Sequence, residues 1–345
     1  MRLIPGVAVT RSQFLRRLLT LALSIIIYPV RLLAGPSSPA APSEMTPSWA
    51  PPGKHTPAIT PTEKFYIEDL SGPPKSLKMG ATDWQLQITG SIHQPLTLNS
   101  HQLLERPSVQ RIITLSCIGN PVGGHAIGTA VWQGVPLRLL LQEADPKFFA
   151  KTIILKGADG YHDSIPLHQS KNALLVYRMN GEPLTRQHGY PLRLMVPGLY
   201  GIKQVKWLRE IEVSEQSHVG YWQKRNWSKT ARVKIISRID SHRDGEWLPV
   251  RNTVIRGIAF SGDRGIQYVQ VSLNGERSWQ LAHLEKPQSP WSWVFWSLPC
   301  KFPQRGRYRI AVRAADQYSG RQTDHHRDAF PNGVSGIHRI HINVL

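Results

Sequence analysis

Residues 114–141 read TLSCIGNPVGGHAIGTAVWQGVPLRLLL, and the stretch changes character along its length. Together with what precedes it, residues 110–117 (QRIITLSC) form a β-branched, apolar run that predicts a buried strand. The run ends at Cys117 and gives way to Ile118-Gly119-Asn120-Pro121-Val122-Gly123-Gly124, turn formers whose glycines let backbone approach a ligand closely. Residues 135–144 (VPLRLLLQEA) then predict a helix with Pro136 at its start, where a missing N–H does no harm. Cys117 has two readings on these grounds. A free cysteine is most often a buried structural residue, yet a thiolate entering a glycine-rich loop is also a soft ligand for a transition metal. One thiolate cannot hold structural zinc, which takes four protein ligands. It is enough for a metal that arrives in its own organic chelate.

Working outward, strands and short helices interleave from residue 62 to 228. Strands are predicted at residues 83–90 (DWQLQITG), 151–157 (KTIILKG), 190–198 (YPLRLMVPG) and 205–213 (VKWLREIEV), and a short helix capped by Asn99 and Ser100 at 101–105. Asn180-Gly181 between LLVYRM and EPL is a hairpin signal. Regular βαβ spacing is missing, so the class is α+β. From residue 229 to 345 the signals are nearly all β: ARVKIISRI, NTVIRGIAF, IQYVQVSL, SWQLAHL, WSWVFWSL, RYRIAVRAAD and HRIHINVL. These make about seven short strands, a sandwich pattern, with Asn274-Gly275 marking a hairpin. Trp291, Trp293 and Trp296 are read as sandwich core or dimer contact, and Cys300 as a packed strand-end residue. His338 and His341, three apart in a strand, point to opposite faces, which argues against a metal there.

The start differs from both halves. Arg2, Arg11, Arg16 and Arg17 precede an apolar run at 18–30 (LLTLALSIIIYPV), short for a spanning helix and suited to a signal peptide. TRSQFLR at 10–16 resembles a twin-arginine export signal with Ser12 in place of its second arginine. Cleavage after Ala34 and retention as a membrane anchor both stay open; either way the bulk is expected outside the cytoplasm, in a periplasmic or other extracytoplasmic space. Residues 35–61 are rich in Pro, Ser and Ala and read as an extended tether. The expected organisation is therefore 1–34 export or anchor segment, 35–61 linker, 62–228 mixed domain and 229–345 sandwich.

The 345 residues are 41% hydrophobic and 19% charged, which suits packed domains and excludes disorder over most of the length. The net charge of +19 attracts anions: an acidic redox protein, an anionic membrane surface or nucleic acid. Scattered basic residues and no zinc-finger or RNA-binding motif make nucleic acid the reading to set aside. Two cysteines are too few for a disulfide scaffold.

Four motifs in order carry a resemblance. Residues 114–141 are similar to the core motif of the sulfite oxidase-like molybdopterin oxidoreductases, and residues 188–213 (HGYPLRLMVPGLYGIKQVKWLREIEV) resemble their second motif. Residues 220–227 (GYWQKRNW) follow where the family has them, and 257–279 (GIAFSGDRGIQYVQVSLNGERSW) resemble its immunoglobulin-like dimerisation domain. The resemblance runs from about residue 62 to the end and implies a molybdenum-molybdopterin cofactor with Cys117 as the protein ligand to the metal. It implies further cofactor contacts at His188, Arg193, Gln204, Val205 and Lys206, at Asp159, at Asn120 in the loop, and at Tyr66, Glu68 and Asp69 in the family's first cofactor-binding stretch. Physically, Arg193 offers a planar fork and Lys206 a mobile point charge for a buried phosphate.

Departures from the family pattern bear on the substrate. Glu68 stands where an arginine is expected, Val122 near where another is expected, and Trp227 at the position of a catalytic tyrosine. The resemblance therefore implies two-electron oxygen-atom transfer on a small-molecule substrate with the sulfite-binding arginines missing. An exported sulfoxide reductase-like enzyme is the alternative, and a non-catalytic exported binding protein on the same fold is the alternative of another class. A separate electron-transfer protein and a homodimer are the implied partners.

Overall fold

The computed structural model describes residues 56–77, 84–249 and 252–345. The export segment and most of the tether expected from the sequence lie outside those residues. The end of the tether does not: Thr56 and Thr60 are buried, and Thr60 bonds through its backbone N–H to Thr129 O at 2.7 Å. Packed structure therefore begins several residues before the expected boundary at 62, because these hydroxyls and amides find partners inside both domains.

The first domain is built on two sheets. One runs in the order Leu96–Asn99, Gln85–Gly90, Leu208–Ser214, Thr152–Gly157, His162–Pro166. Its single parallel pair joins Gln85–Gly90 to Leu208–Ser214, which brings the two ends of the domain together. Leu86, Ile88, Ile153, Leu155, Ile211 and Val213 all project to one core from alternating positions. The second sheet runs Val109–Ser116, Ile127–Pro136, Leu174–Met179, Glu182–Pro183, with Arg193–Met195 paired to Leu174–Met179. Leu115↔Gly128 and Ser116↔Ile127 are the last rungs before Cys117, so the cysteine leaves the sheet where the Gly/Pro loop begins.

Most of the local expectations hold. Asn99 caps Ser100–Leu104 in a capping box with Gln102. Asn180 and Gly181 take φ of 53° and 89°, as a tight hairpin requires. Two differ. Pro136 still belongs to the strand and caps the helix Leu137–Ala144 rather than opening it. The run at 190–198 is a strand only at Arg193–Met195.

The second domain is the expected all-β, immunoglobulin-like sandwich. One sheet has the order Ile236–Ile239, Asn252–Phe260, Val294–Lys301, His283–Leu284, the other Glu246–Leu248, His338–Val344, Gly306–Asp316, Ile266–Ser272, Gln280–Leu281. Trp296, Phe302, Ile310 and Ile342 fill the space between them. The expected single strand SWQLAHL is two short pieces, one in each sheet, because the chain crosses the sandwich edge between Leu281 and His283. Asn274-Gly275 sits in a longer connection, with positive φ at Gly275 and Glu276.

The domains meet over a packed joint. Thr114 N donates to Trp291 O and Trp293 N to Thr114 Oγ1, so Trp291 and Trp293 seat the strand that leads to Cys117, and of the three tryptophans Trp296 alone is sandwich core. Residues 231–235, expected to be strand, run instead against the first domain: Tyr200 N donates to Ala231 O and Val233 N to Gly198 O. Arg238 is 3% exposed; it donates to Gly124 O at 2.7 Å and pairs with Asp240, which also accepts from Thr56. His338 Nδ1 accepts from Ile239 N, and its Nε2 occupies the place where a side chain at Gly123 would stand. Gly123 has φ +75°, so both backbone and space require glycine there.

His338 lies between Arg238, His125, Asp240 and Asp244, and burial first, then Arg238, lowers its pKa to about 4 from an ordinary 6.5. A histidine whose folded pKa is depressed stabilises the fold above its unfolded pKa and loses that contribution as pH falls toward the folded value. Thermal unfolding between pH 7 and 4 should therefore show falling stability, on the order of 3 kcal/mol from this residue. His338→Asn, which keeps an acceptor for Ile239 N, should flatten the slope; an unchanged slope would remove His338 from the account.

Candidate functional site

Cys117 stands at the bottom of the site. Its amide donates to Ala126 O, and its sulfur accepts from Gly119 N at 3.3 Å. Asn120 is 5% exposed and its Oδ1 accepts from Ala126 N, so this side chain closes the 120–126 loop on itself. Burial pushes the Cys117 thiol up to about 12, Glu68 adds to the shift, and the Gly119 and Asn120 amides oppose it. Alone, the sulfur keeps its proton; ligation by a metal would take the proton's place.

Above the cysteine the 198–206 segment turns back. Gln204 is responsible: its Oε1 accepts from Val196 N at 2.6 Å, and its Nε2 donates to Val196 O and Leu199 O. Every polar atom of this side chain is spent on the loop, so the residue expected to touch a phosphate shapes the wall instead. Val205 is wholly buried in the core, and only its backbone is available. Gly201 underlies the site. A Cβ on it would lie 3.3 Å from Tyr66 Oη, 3.6 Å from Ser116 O and 3.9 Å from Cys117 Cα.

Arg193, His188 and Lys206 converge on the other side of Tyr66. Arg193 is 4% exposed, lies over the Trp132 ring at 5.2 Å and donates once, to His188 O. Among the described residues no carboxylate pairs with it, and burial lowers its pKa to about 10. Burial and Arg193 hold His188 at about 4, so it is neutral, with Nε2 3.1 Å from Thr62 O. Lys206 pairs with Asp69 at 3.1 Å, donates to Gln187 O and lies over Trp207; burial and Arg193 lower it to about 8. Gly189, at φ +106°, sits between them, and a Cβ there would lie 3.1 Å from Arg193 Cβ and 3.2 Å from Lys206 Cβ. Asp159 is close enough to feel Lys206 and Asp69, and burial raises its pKa. Glu68 lies on the exposed stretch beside this cluster, and burial of its carboxyl and Asp69 raise its pKa.

Two buried polar atoms here have no hydrogen-bond partner: Tyr66 Oη and Arg193 Nε. Unmatched buried polar atoms are costly and mark a place where another group belongs. Tyr66 feels the charges of Cys117, Arg193 and Glu68, so it lies near both the thiol and the arginine. The donors suit an anion with a soft metal at its far end: phosphate oxygens for Arg193 and Lys206, a thiolate for the metal. A molybdenum-pterin phosphate fits these residues. Among the described residues no three metal-binding side chains cluster.

Trp227 packs near Trp222 and Phe330, at 6.0 and 5.3 Å between rings, against a cluster that includes Ile118 and Tyr200. It stands beside the cysteine loop, not among the cations. Sequence reasoning missed Tyr200, Gly201 and the buried pair Lys203–Asp163. Lys203 Nζ lies 2.6 Å from Asp163 Oδ1 and 2.9 Å from Ser164 O, with side chains 3% and 0% exposed. It ties the site loop to the strand His162–Pro166. A lysine beside a cofactor motif gives no sign in sequence that it points inward.

Breaking that pair leaves a charge buried without its partner, which costs about 3–5 kcal/mol. Lys203→Met should lose roughly that much in denaturant unfolding. Burial raises the Asp163 pKa and Lys203 opposes the rise. Without the lysine the folded pKa climbs further, so stability should recover as pH falls and the carboxyl takes up its proton. A pH-independent deficit would contradict a charge-burial origin.

Comparison with known proteins agrees with this geometry. A family model described as an oxidoreductase molybdopterin binding domain matches residues 72–222, and one described as a Mo-co oxidoreductase dimerisation domain matches 228–344. The chain is 29% identical to an NADH nitrate reductase of Solanum lycopersicum over 325 residues, covering 75% of this chain and 35% of that protein. It is 29% identical to the mitochondrial sulfite oxidase of Homo sapiens over 339 residues, covering 83% and 62%. The chain thus spans about a third of the nitrate reductase and about three fifths of the sulfite oxidase. Among solved structures, the sulfane dehydrogenase SoxCD of Paracoccus pantotrophus superposes with a TM-score of 0.70 at 25% identity, over 81% of this chain and 80% of that one.

Proposed function

This chain belongs to the molybdopterin oxidoreductases of the sulfite oxidase and nitrate reductase type, and from that premise we propose that it performs two-electron oxygen-atom transfer on a small, uncharged substrate. The observation that carries the reading is the buried Arg193, with no carboxylate partner among the described residues, near the orphaned Tyr66 hydroxyl, which the Cys117 thiol also approaches. When bound, the molybdenum-molybdopterin group supplies the redox and atom-transfer chemistry.

The residues divide the remaining work. Cys117 would hold the metal as its soft protein ligand, through the thiolate. Arg193 and Lys206 would neutralise the phosphate, with Gly189 leaving room for both. His188, held neutral, donates its Nε2–H to Thr62 O and leaves Nδ1 to accept one hydrogen bond without adding charge. The Gln204 clamp and the Lys203–Asp163 pair keep the wall rigid, so the group is met by donors already in place. Glu68 makes one lip of the site acidic, Asp69 being paired with Lys206. An oxyanion such as sulfite would be repelled there, which favours a neutral substrate such as a sulfoxide or its reduced form. Trp227 offers an apolar ring where the family resemblance places a tyrosine.

The sandwich supports a homodimer, and electrons pass to or from a separate protein. The basic, apolar start supports export and a periplasmic or membrane-anchored location. The competing reading, a binding protein that lost its cofactor, gives no role to a buried arginine with an unpartnered Nε.

Two experiments test the proposal. Pterin released per chain should fall about ten-fold or more in Arg193→Ala and in Lys206→Met, since a charge-assisted hydrogen bond to phosphate contributes roughly 1.5–3 kcal/mol. Retention at the wild-type level in both variants would show that the cations hold something else. Glu68→Arg should strengthen inhibition by sulfite or sulfate, roughly ten-fold in inhibition constant, by turning a repelling lip into an attracting one. No change would mean that Glu68 does not face the substrate.

A further inference from the structure

We propose that the 147–151 turn is an interfacial wedge that docks the protein on an anionic lipid surface, independently of the cofactor reading. Phe148 and Phe149 are 93% and 72% exposed. The other large apolar side chains that reach solvent, such as Leu104, Trp247 and Tyr318, are not adjacent in sequence to one another. Scattered single residues of this kind need no explanation, whereas an apolar tip does.

The tip is rigidly presented. Ala150 N donates to Lys147 O at 2.9 Å, closing a β-turn whose two central residues are the phenylalanines, where polar or glycine residues are the usual choice. Lys147 N is tied to Ser91 O, Lys151 N to Ser214 O, and Lys151 O receives Leu167 N, so both ends of the turn are sewn to the first sheet. The rings meet edge to face at 5.1 Å and leave their outer faces free. Two aromatic rings on a protruding corner suit a deformable apolar phase better than a partner protein, whose anchors fill pockets.

Charge selects the lipid. Lys147 and Lys151 flank the rings on the turn itself, and the chain carries +19. Of the carboxylates on adjoining elements, Glu143 is paired with Arg106, Glu215 accepts the Ser91 hydroxyl, and Asp145 stands at the base of the turn. The turn therefore presents apolar rings between lysines, the arrangement that binds an anionic interface.

Hydrogen exchange of the full chain, with and without vesicles of phosphatidylglycerol and phosphatidylethanolamine, tests this. Exchange over 145–151 should slow with these vesicles and much less with phosphatidylcholine alone. Phe148→Ser combined with Phe149→Ser should abolish the protection and weaken partition about ten-fold or more, given what burial of each ring contributes. Should the variant fail to fold, the wild-type exchange arm decides alone. Vesicle binding that leaves 145–151 unprotected, as would follow from attachment through the apolar run at 18–30, overturns the proposal. So does protection that grows with protein concentration in the absence of lipid, which would assign the tip to a second copy.

Discussion

The site is organised by a buried arginine that no carboxylate among the described residues pairs with. Arg193 is seated on Trp132, gives one hydrogen bond to a backbone carbonyl and keeps its Nε unmatched. Removing such a charge from water is expensive, and a fold that does so needs an anion to complete it. Burial first, and then Arg193, keep His188 neutral and hold Lys206 below its ordinary range despite its bond to Asp69. A cofactor phosphate would relieve all three at once, which is why the group and the fold belong together.

That demand would be useless if the walls could move. The cysteine loop is pinned from within by Asn120 and from the sandwich by Arg238 and His338, and the opposite wall is pinned by Gln204 and by Lys203–Asp163. The second domain is thus part of the site's rigidity as well as the expected dimer contact. Packing of Trp291 and Trp293 against the strand before Cys117 extends the same constraint.

Much of this was legible in sequence because it depends on local pattern. The β-branched run before Cys117, the Asn180-Gly181 turn and the strand 252–260 follow from periodicity and turn chemistry. Cys117, His188, Arg193 and Lys206 came from the motifs, and the structure gathers Arg193, His188 and Lys206 around Gly189, with Tyr66 near both Arg193 and the thiol. Gln204, Val205 and Asn120 share those motifs, yet Gln204 and Asn120 turn their polar atoms to the backbone and Val205 its side chain to the core; a motif marks a neighbourhood and not the direction of each side chain. The clamps from Arg238, His338 and Asp163 join residues far apart in the chain, which no local pattern reveals. Thr56 and Thr60 lay hidden in a Pro-rich run because their partners belong to both domains.

The central claim, that Cys117 holds a molybdenum-pterin group, is tested most directly by elemental analysis of the full chain from a host that makes the cofactor, beside Cys117→Ser purified in the same way. The account requires near-stoichiometric molybdenum in the first and a large loss of it in the second, with both folded by circular dichroism. Metal-free wild-type protein, or equal molybdenum in the two, would contradict it.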